Sequence, residues 1–127
     1  MWNYVTFIYI SAPLAPLNLQ SSNITDSSAE LSWTPGYDGG KPQTYVIQYK
    51  LTNANSWENV TFAGSPPYNL EHLKNCESYL VQIFAYNVIG LSSSTPAINF
   101  MTDGNACFYV NKNIQIVFCI PLKEIIL

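Results

Sequence analysis

Residues 73–90 read LKNCESYLVQIFAYNVIG, and this stretch decides the fold. From Tyr79 onward one set of side chains recurs at every second position, which is the period of a strand rather than of a helix. Leu73 lies six positions before the tyrosine, and Asn87 and Gly90 close the run. The pattern predicts a central strand that begins at Tyr79.

Shorter stretches on both sides of this strand alternate in the same way and are separated by Gly, Pro and Asn. They predict further strands at 17–20, 28–33, 44–50, 56–61, 66–70 and 96–102. Their alternation predicts an inward face on each strand, and the residues expected to anchor the core are Trp33, Tyr45, Tyr49, Leu73 and Tyr79. The fold class expected is an all-β, seven-stranded antiparallel β-sandwich.

Composition limits the range of functions. The chain has 127 residues, 10% of them charged, with a net charge of -3, so no basic surface for nucleic acid is expected. Aromatic residues make up 14% of the chain, as is usual for a protein of short strands and tight turns. We therefore expect one domain that binds neither nucleic acid nor a small-molecule substrate.

The two ends of the chain do not continue the strand pattern. We divide it into an N-terminal extension (1–12), a patterned domain (13–103) and a tail (104–127). The extension has three interpretations: a signal peptide, the last strand of a truncated neighbouring module, or non-native sequence read through in a gene model. The tail has two interpretations: an added strand, or the start of unrelated sequence, which includes non-native read-through. Its apolar run is too short for a membrane helix, so membrane attachment is expected only through other parts of a longer polypeptide.

Residues that could carry chemistry are few. Cys76, Cys107 and Cys119 cannot all pair within one chain, their spacing matches no zinc motif, and their redox state stays undecided. The single histidine, His72, lies near Cys76 but in no recognised ligand set. We expect no enzyme, no metal and no cofactor.

Two surfaces are candidate protein interfaces. One is the pair of loops at 37–40 and 88–93, with Tyr37 as the expected anchor; the other is the face of the central strands that points away from the core. The candidate residues are Tyr37, Asp38, Val46, Leu80, Phe84 and Tyr86. The second surface has three interpretations: a partner interface, a face covered by tail residues 114–118, or scattered surface apolar side chains.

Two asparagines, Asn23 and Asn59, stand in N-x-T tripeptides that fit the N-glycosylation pattern. Chance alone gives about two such tripeptides in a chain of this composition. They are candidate glycosylation sites and do not by themselves indicate secretion.

The motifs APLNL, AELSW, WTPGYDGGKPQTYVIQY and the 73–90 stretch together resemble the fibronectin type III family. The PGYDGGKPQ loop is similar to loops in immunoglobulin-superfamily adhesion receptors such as Turtle, Echinoid, Sidestep and nephrin. The resemblance implies a β-sandwich of immunoglobulin-like form and the extracellular part of a plasma-membrane receptor. It also implies a tyrosine corner, in which the Tyr79 ring lies in the core and its hydroxyl is bonded to the backbone upstream. Glu77 and Asn75 depart from the residues that the family often has before this corner tyrosine.

Three functions follow from this resemblance as hypotheses. The first is a non-catalytic module that binds a protein partner, a cell-surface receptor or a neighbouring domain, through its loops and outer strand face. The second is a purely architectural spacer. The third is a fibronectin module of an intracellular scaffold or kinase, which glycans on Asn23 or Asn59 would exclude.

Overall fold

A computed structural model describes residues 9–104 in full and, after them, the backbone of two short strands. Seven strands form the body: β1 (Leu17–Ser22), β2 (Ala29–Thr34), β3 (Thr44–Leu51), β4 (Glu58–Phe62), β5 (Tyr68–Leu70), β6 (Ser78–Tyr86) and β7 (Ile98–Met101). The remaining two, β8 (Cys107–Tyr109) and β9 (Val117–Cys119), pair with each other in an antiparallel manner. The sequence interpretations of 1–8, and of the tail side chains, fall outside the described residues.

Two antiparallel sheets make a sandwich. One has three strands in the order β1-β2-β5, and the other has four in the order β4-β3-β6-β7. The longest strand, β6, pairs with β3 along eight residue pairs from Thr44↔Tyr86 to Leu51↔Tyr79. The predicted seven-stranded, all-β sandwich is therefore confirmed, and the stretch that predicted it forms a central strand of the larger sheet.

The core lies between the inner faces of the sheets. Burial alternates along β6, so that Tyr79, Val81, Ile83 and Ala85 all lie inside while the residues between them are half-buried. From the facing sheet, the buried Trp33 packs edge-to-face on Tyr45, with 5.0 Å between ring centroids. Such aromatic contacts add to the area that the rings bury, which makes Trp33 a centre of the core.

Tyr79, the second residue of β6, forms the expected corner. The backbone N–H of Lys74 donates a hydrogen bond of 2.9 Å to the Tyr79 hydroxyl. Nearby, the buried Thr102 hydroxyl donates to the Lys74 carbonyl at 2.6 Å and accepts from the Glu77 N–H at 3.0 Å. Two hydroxyl groups thus provide hydrogen-bond partners for backbone groups of the loop before β6. Glu77, which departs from the family pattern, takes part through its backbone N–H.

Two details differ from the alternation in the sequence. Leu17 is 56% exposed although Leu19 is buried, because the β1–β2 register shifts between Leu17 and Gln20 and Asn18 has a φ of 56°. Tyr49 is only half-buried, packed against the edge of the core, whereas Trp33, Tyr45, Leu73 and Tyr79 are buried.

Candidate protein-binding surface

Exposed apolar side chains gather at one end of the sandwich, where the chain enters the domain and where two loops meet. We call this surface the loop pole. Its members come from the entry segment, the β2–β3 loop and the β6–β7 loop, and each is at least 45% exposed: Tyr9, Ile10, Tyr37, Val88, Ile89 and Leu91. Solvent-exposed apolar side chains in one patch are a common property of protein-binding surfaces.

The entry segment is fixed to the β2–β3 loop through its backbone. The Ser11 N–H donates to the Gly39 carbonyl at 2.9 Å, and the Leu14 N–H donates to the Tyr37 carbonyl at the same distance. A Cβ on Gly39 would collide with the Ser11 carbonyl oxygen, and Gly39 has a φ of 77°. Glycine is therefore required here both by conformation and by the close approach of the entry segment.

One side chain joins all three parts of the loop pole. The buried Asn87 amide donates to the carbonyls of Ser11 at 2.7 Å and Asp38 at 2.8 Å. Its side-chain oxygen accepts from the backbone N–H of Ile89 at 2.9 Å and of Gly90 at 3.2 Å. All the bonding capacity of the amide is thus used, and the exposed apolar residues project from a fixed backbone.

The predicted loop residues lie in this surface but differ in availability. Tyr37 is 56% exposed and Val88 is 83% exposed. Asp38 is half-buried, and its carboxylate accepts a hydrogen bond of 2.8 Å from the Gly40 N–H. This side chain therefore shapes the turn, whereas Tyr37 and Val88 are free to contact a partner.

The second predicted surface, the outer face of the larger sheet, is half-buried rather than exposed. Val46 lies opposite Phe84, and the Gln82 amide donates to the Gln48 side-chain oxygen across the strands at 2.8 Å. Leu80 and Tyr86 on the same face are also half-buried. Cross-strand neighbours partly cover one another here. The outer face lies on the side of the larger sheet and meets the loop pole at the end of β6, where Tyr86 pairs with Leu91.

Among the described residues, a shifted ionisable group lies at the opposite end from the loop pole. Burial, followed by a hydrogen bond to the Glu58 carboxylate and the charge of that carboxylate, raises the pKa of Tyr49 above its ordinary value of 10.0. His72 borders a shallow cavity of about 200 Å³ beside these residues. Residues 9–104 contain no group of three His, Cys, Asp or Glu side chains that could hold a metal ion.

Comparison with protein families decides what this sandwich is. The family model for the fibronectin type III domain matches residues 14–101. The chain belongs to the fibronectin type III family. The family resemblance that the sequence motifs carry is thereby confirmed, and the loop pole is the end of a fibronectin type III domain at which its first strand begins.

Relatives of the domain include three longer proteins from vertebrates and an insect. The chain is 31% identical over 108 residues to the tyrosine-protein kinase receptor TYRO3 of Gallus gallus, which covers 83% of this chain and 12% of that protein. It is 31% identical over 93 residues to nephrin of Mus musculus (72% and 7%) and 35% identical over 82 residues to the protein turtle of Drosophila melanogaster (61% and 5%). The chain thus spans about a tenth or less of the length of these relatives.

Solved structures agree on the fold. A crystal structure of titin domains superposes with a TM-score of 0.65 at 26% identity, covering 72% of this chain and 33% of that one. The third fibronectin III domain of human KIAA0343 superposes with a TM-score of 0.66 at 22% identity, covering 81% of this chain and 91% of that domain. Across the described part of the fibronectin type III chain, no helix is long and apolar enough to cross a membrane.

Sequence reasoning missed part of this site. The entry-segment residues Tyr9 and Ile10, and the bridging role of Asn87, were not among the predicted site residues. The signal that could have found Asn87 is its place at the end of β6, where a buried polar side chain needs several partners. Nothing in the local pattern indicates that those partners come from residues 11 and 38.

Proposed function

We propose that this fibronectin type III domain is a non-catalytic protein-interaction module from the extracellular part of a cell-surface adhesion or recognition receptor. Its binding surface is the loop pole, and its partner is a protein: another receptor ectodomain or a second copy of the chain. The observation that supports this proposal is the loop pole itself, six exposed apolar side chains on a backbone that Asn87 holds in place.

The loops of the loop pole are preorganised for binding. Binding costs free energy whenever a loop must be ordered on contact. Here the hydrogen bonds of Asn87 and the Ser11–Gly39 backbone bond order the loops before any partner arrives. An exposed tyrosine such as Tyr37 then offers a large contact area at a small cost in side-chain entropy.

The extracellular location has two supports. Cys76 is disulfide-bonded, and structural disulfides persist mainly in oxidising compartments such as the extracellular space. The relatives that match the chain include proteins named as a receptor and as cell adhesion molecules, among them Dscam1 of Drosophila melanogaster. Both supports favour a cell-surface protein over the intracellular scaffold hypothesis.

A binding screen tests the proposal. The full chain is multimerised on a biotin tag and applied to an array of secreted receptor ectodomains that includes the chain itself. We expect at least one interaction that is lost when Tyr37→Ser and Val88→Asp are combined. The matched control is Lys74→Ser, a substitution of an exposed residue before β6 at the other end of the domain. Equal binding by the pole variant and the control would contradict the proposal.

The architectural spacer is the second candidate, and one observation favours it. The backbone bonds from Ser11 and Leu14 fix the direction in which the chain enters the domain, as a spacer between two domains requires. A spacer would show no interaction in the screen that responds to changes at Tyr37 and Val88. The same screen therefore separates the two functions.

A further inference from the structure

We propose that Asn59 carries an N-linked glycan, and that this glycan covers the outer face of the larger sheet. The inference rests on the proposed extracellular function, because N-glycans are added in the secretory pathway. It assigns an occupant to a half-buried apolar face and leaves the loop pole as the surface that is free to bind protein.

The acceptor residue Asn59 is accessible. Asn59 and Thr61 form the N-x-T pattern within β4, and both side chains are exposed. Neither makes a side-chain hydrogen bond to any other residue within 9–104. The edge position of β4 in the order β4-β3-β6-β7 leaves room beside the strand for a bulky group. A modification at Asn59 therefore breaks no side-chain hydrogen bond within residues 9–104.

Asn23, the other candidate acceptor, lies in a tripeptide whose side chains are hydrogen-bonded. The Asn23 amide donates to the Glu30 carboxylate at 3.1 Å, and Asn23 has a φ of 46°. The Thr25 hydroxyl of that tripeptide accepts the backbone N–H of Ser28 at 2.9 Å. This tripeptide is folded into a hydrogen-bonded turn. The one at Asn59 is extended and pairs with β3 through its backbone, while the side chains of Asn59 and Thr61 make no hydrogen bond within 9–104.

The register of β4 determines the face of the sheet on which Asn59 lies. In the β3–β4 register Asn59 lies opposite Gln48 and Thr61 lies opposite Val46, both on the outer face. Gln48 is itself bonded to Gln82 of β6, and Phe84 is the next outer residue of that strand. Neighbouring strands are about 4.8 Å apart, so the attachment point lies roughly 10 Å from the Phe84 strand. A branched oligosaccharide on Asn59 is large enough to extend over Val46 and Phe84.

The chemical step is a transfer from a lipid-linked oligosaccharide pyrophosphate, which is the co-reactant. The Asn59 side-chain nitrogen forms a bond to the anomeric carbon of the oligosaccharide. The bond between that carbon and the pyrophosphate oxygen breaks, and the lipid pyrophosphate leaves with the bonding electron pair. The amide nitrogen releases one proton, so no oxidant or reductant is needed.

The first test is occupancy. The full chain with Asn23→Gln is secreted from insect cells, and its mass is measured before and after peptide-N-glycosidase treatment. We expect the mass to fall by one oligosaccharide and Asn59 to become aspartate. The matched control adds Thr61→Ala, which destroys the acceptor pattern while keeping Asn59, and should show no change. An unmodified Asn59 in the first variant would overturn the inference.

The second test is coverage. Hydroxyl-radical labelling of Phe84 is compared in the folded protein with and without the glycan, with Tyr37 as the internal reference. We expect Phe84 labelling to rise at least twofold on removal of the glycan while Tyr37 stays constant, and Asn59→Asp protein made without glycan should match the treated sample. Equal Phe84 labelling in both samples would overturn the covering role. Failure here leaves binding through the loop pole unaffected, so the two proposals fail separately.

Discussion

Replacing Asn87 with alanine tests how the loop pole is held together. The change removes two donated hydrogen bonds, to the carbonyls of Ser11 and Asp38, and two accepted ones, from the N–H groups of Ile89 and Gly90. Each such bond contributes about 0.5–1.5 kcal/mol net. Because water can reach part of this region and replace some of the partners, we expect the free energy of unfolding to fall by about 2–4 kcal/mol.

Two assays check this result. Urea denaturation gives the loss in unfolding free energy, with the slope unchanged if only the native state is affected. Amide hydrogen exchange shows which part of the domain is destabilised. The Ser11 and Leu14 N–H groups bond to the β2–β3 loop, so the substitution should accelerate their exchange more than that of the β6 amides. The control is Asn69→Ala, an exposed residue whose amide donates to Glu71 at 3.0 Å, for which we expect a change below about 0.5 kcal/mol.

If Asn87→Ala unfolds like Asn69→Ala and the Ser11 amide exchanges at its original rate, the side chain does not hold the entry segment. Asn87 would then not preorganise the loop pole for binding.

Three further predictions concern the core, pH dependence and redox state. Trp33→Ala should lower the free energy of unfolding by about 3–5 kcal/mol, because the buried indole packs on two aromatic rings; a melting temperature within a few degrees of the wild type would contradict its core role. The raised pKa of Tyr49 means that the folded state holds the phenol proton more tightly than the unfolded state. The contribution of this proton to stability is therefore complete below about pH 10 and is lost as the pH rises through the folded pKa. Between about pH 9 and 11, Tyr49→Phe should lose less unfolding free energy than the wild type in urea titrations, and parallel pH curves for the two proteins would contradict this expectation. A reducing agent should lower the unfolding free energy of the wild type by about 2–4 kcal/mol through loss of the Cys76 disulfide, while Cys76→Ser should be insensitive to the reductant; equal sensitivity of both would be inconsistent with that bond.

The sequence predicts the parts of the fold that depend on local alternation. The period-two pattern after Tyr79 predicts β6 correctly because a strand with one face in the core needs apolar residues at every second position. The exposure of Leu17 could not be predicted in this way. It depends on the positive φ of Asn18 and on a register shift against β2, and neither leaves a period in the sequence.

The candidate site is less predictable than the fold for a related reason. The loops near Tyr37 and Val88 could be proposed from turn composition alone. Their connection could not, because the Asn87 amide reaches partners 76 and 49 positions away in the chain. The half-buried state of Phe84 also depends on the cross-strand pair that it forms with Val46, which exists only after the sheet has assembled.

The loop pole is tested most directly by hydroxyl-radical labelling of Tyr37 in complex with the ectodomain that the binding screen identifies. We expect labelling of Tyr37 to fall strongly on complex formation, while labelling of Phe84 on the outer face is unchanged. Protection of Phe84 with Tyr37 still labelled as in the free protein would contradict the loop pole as the binding surface.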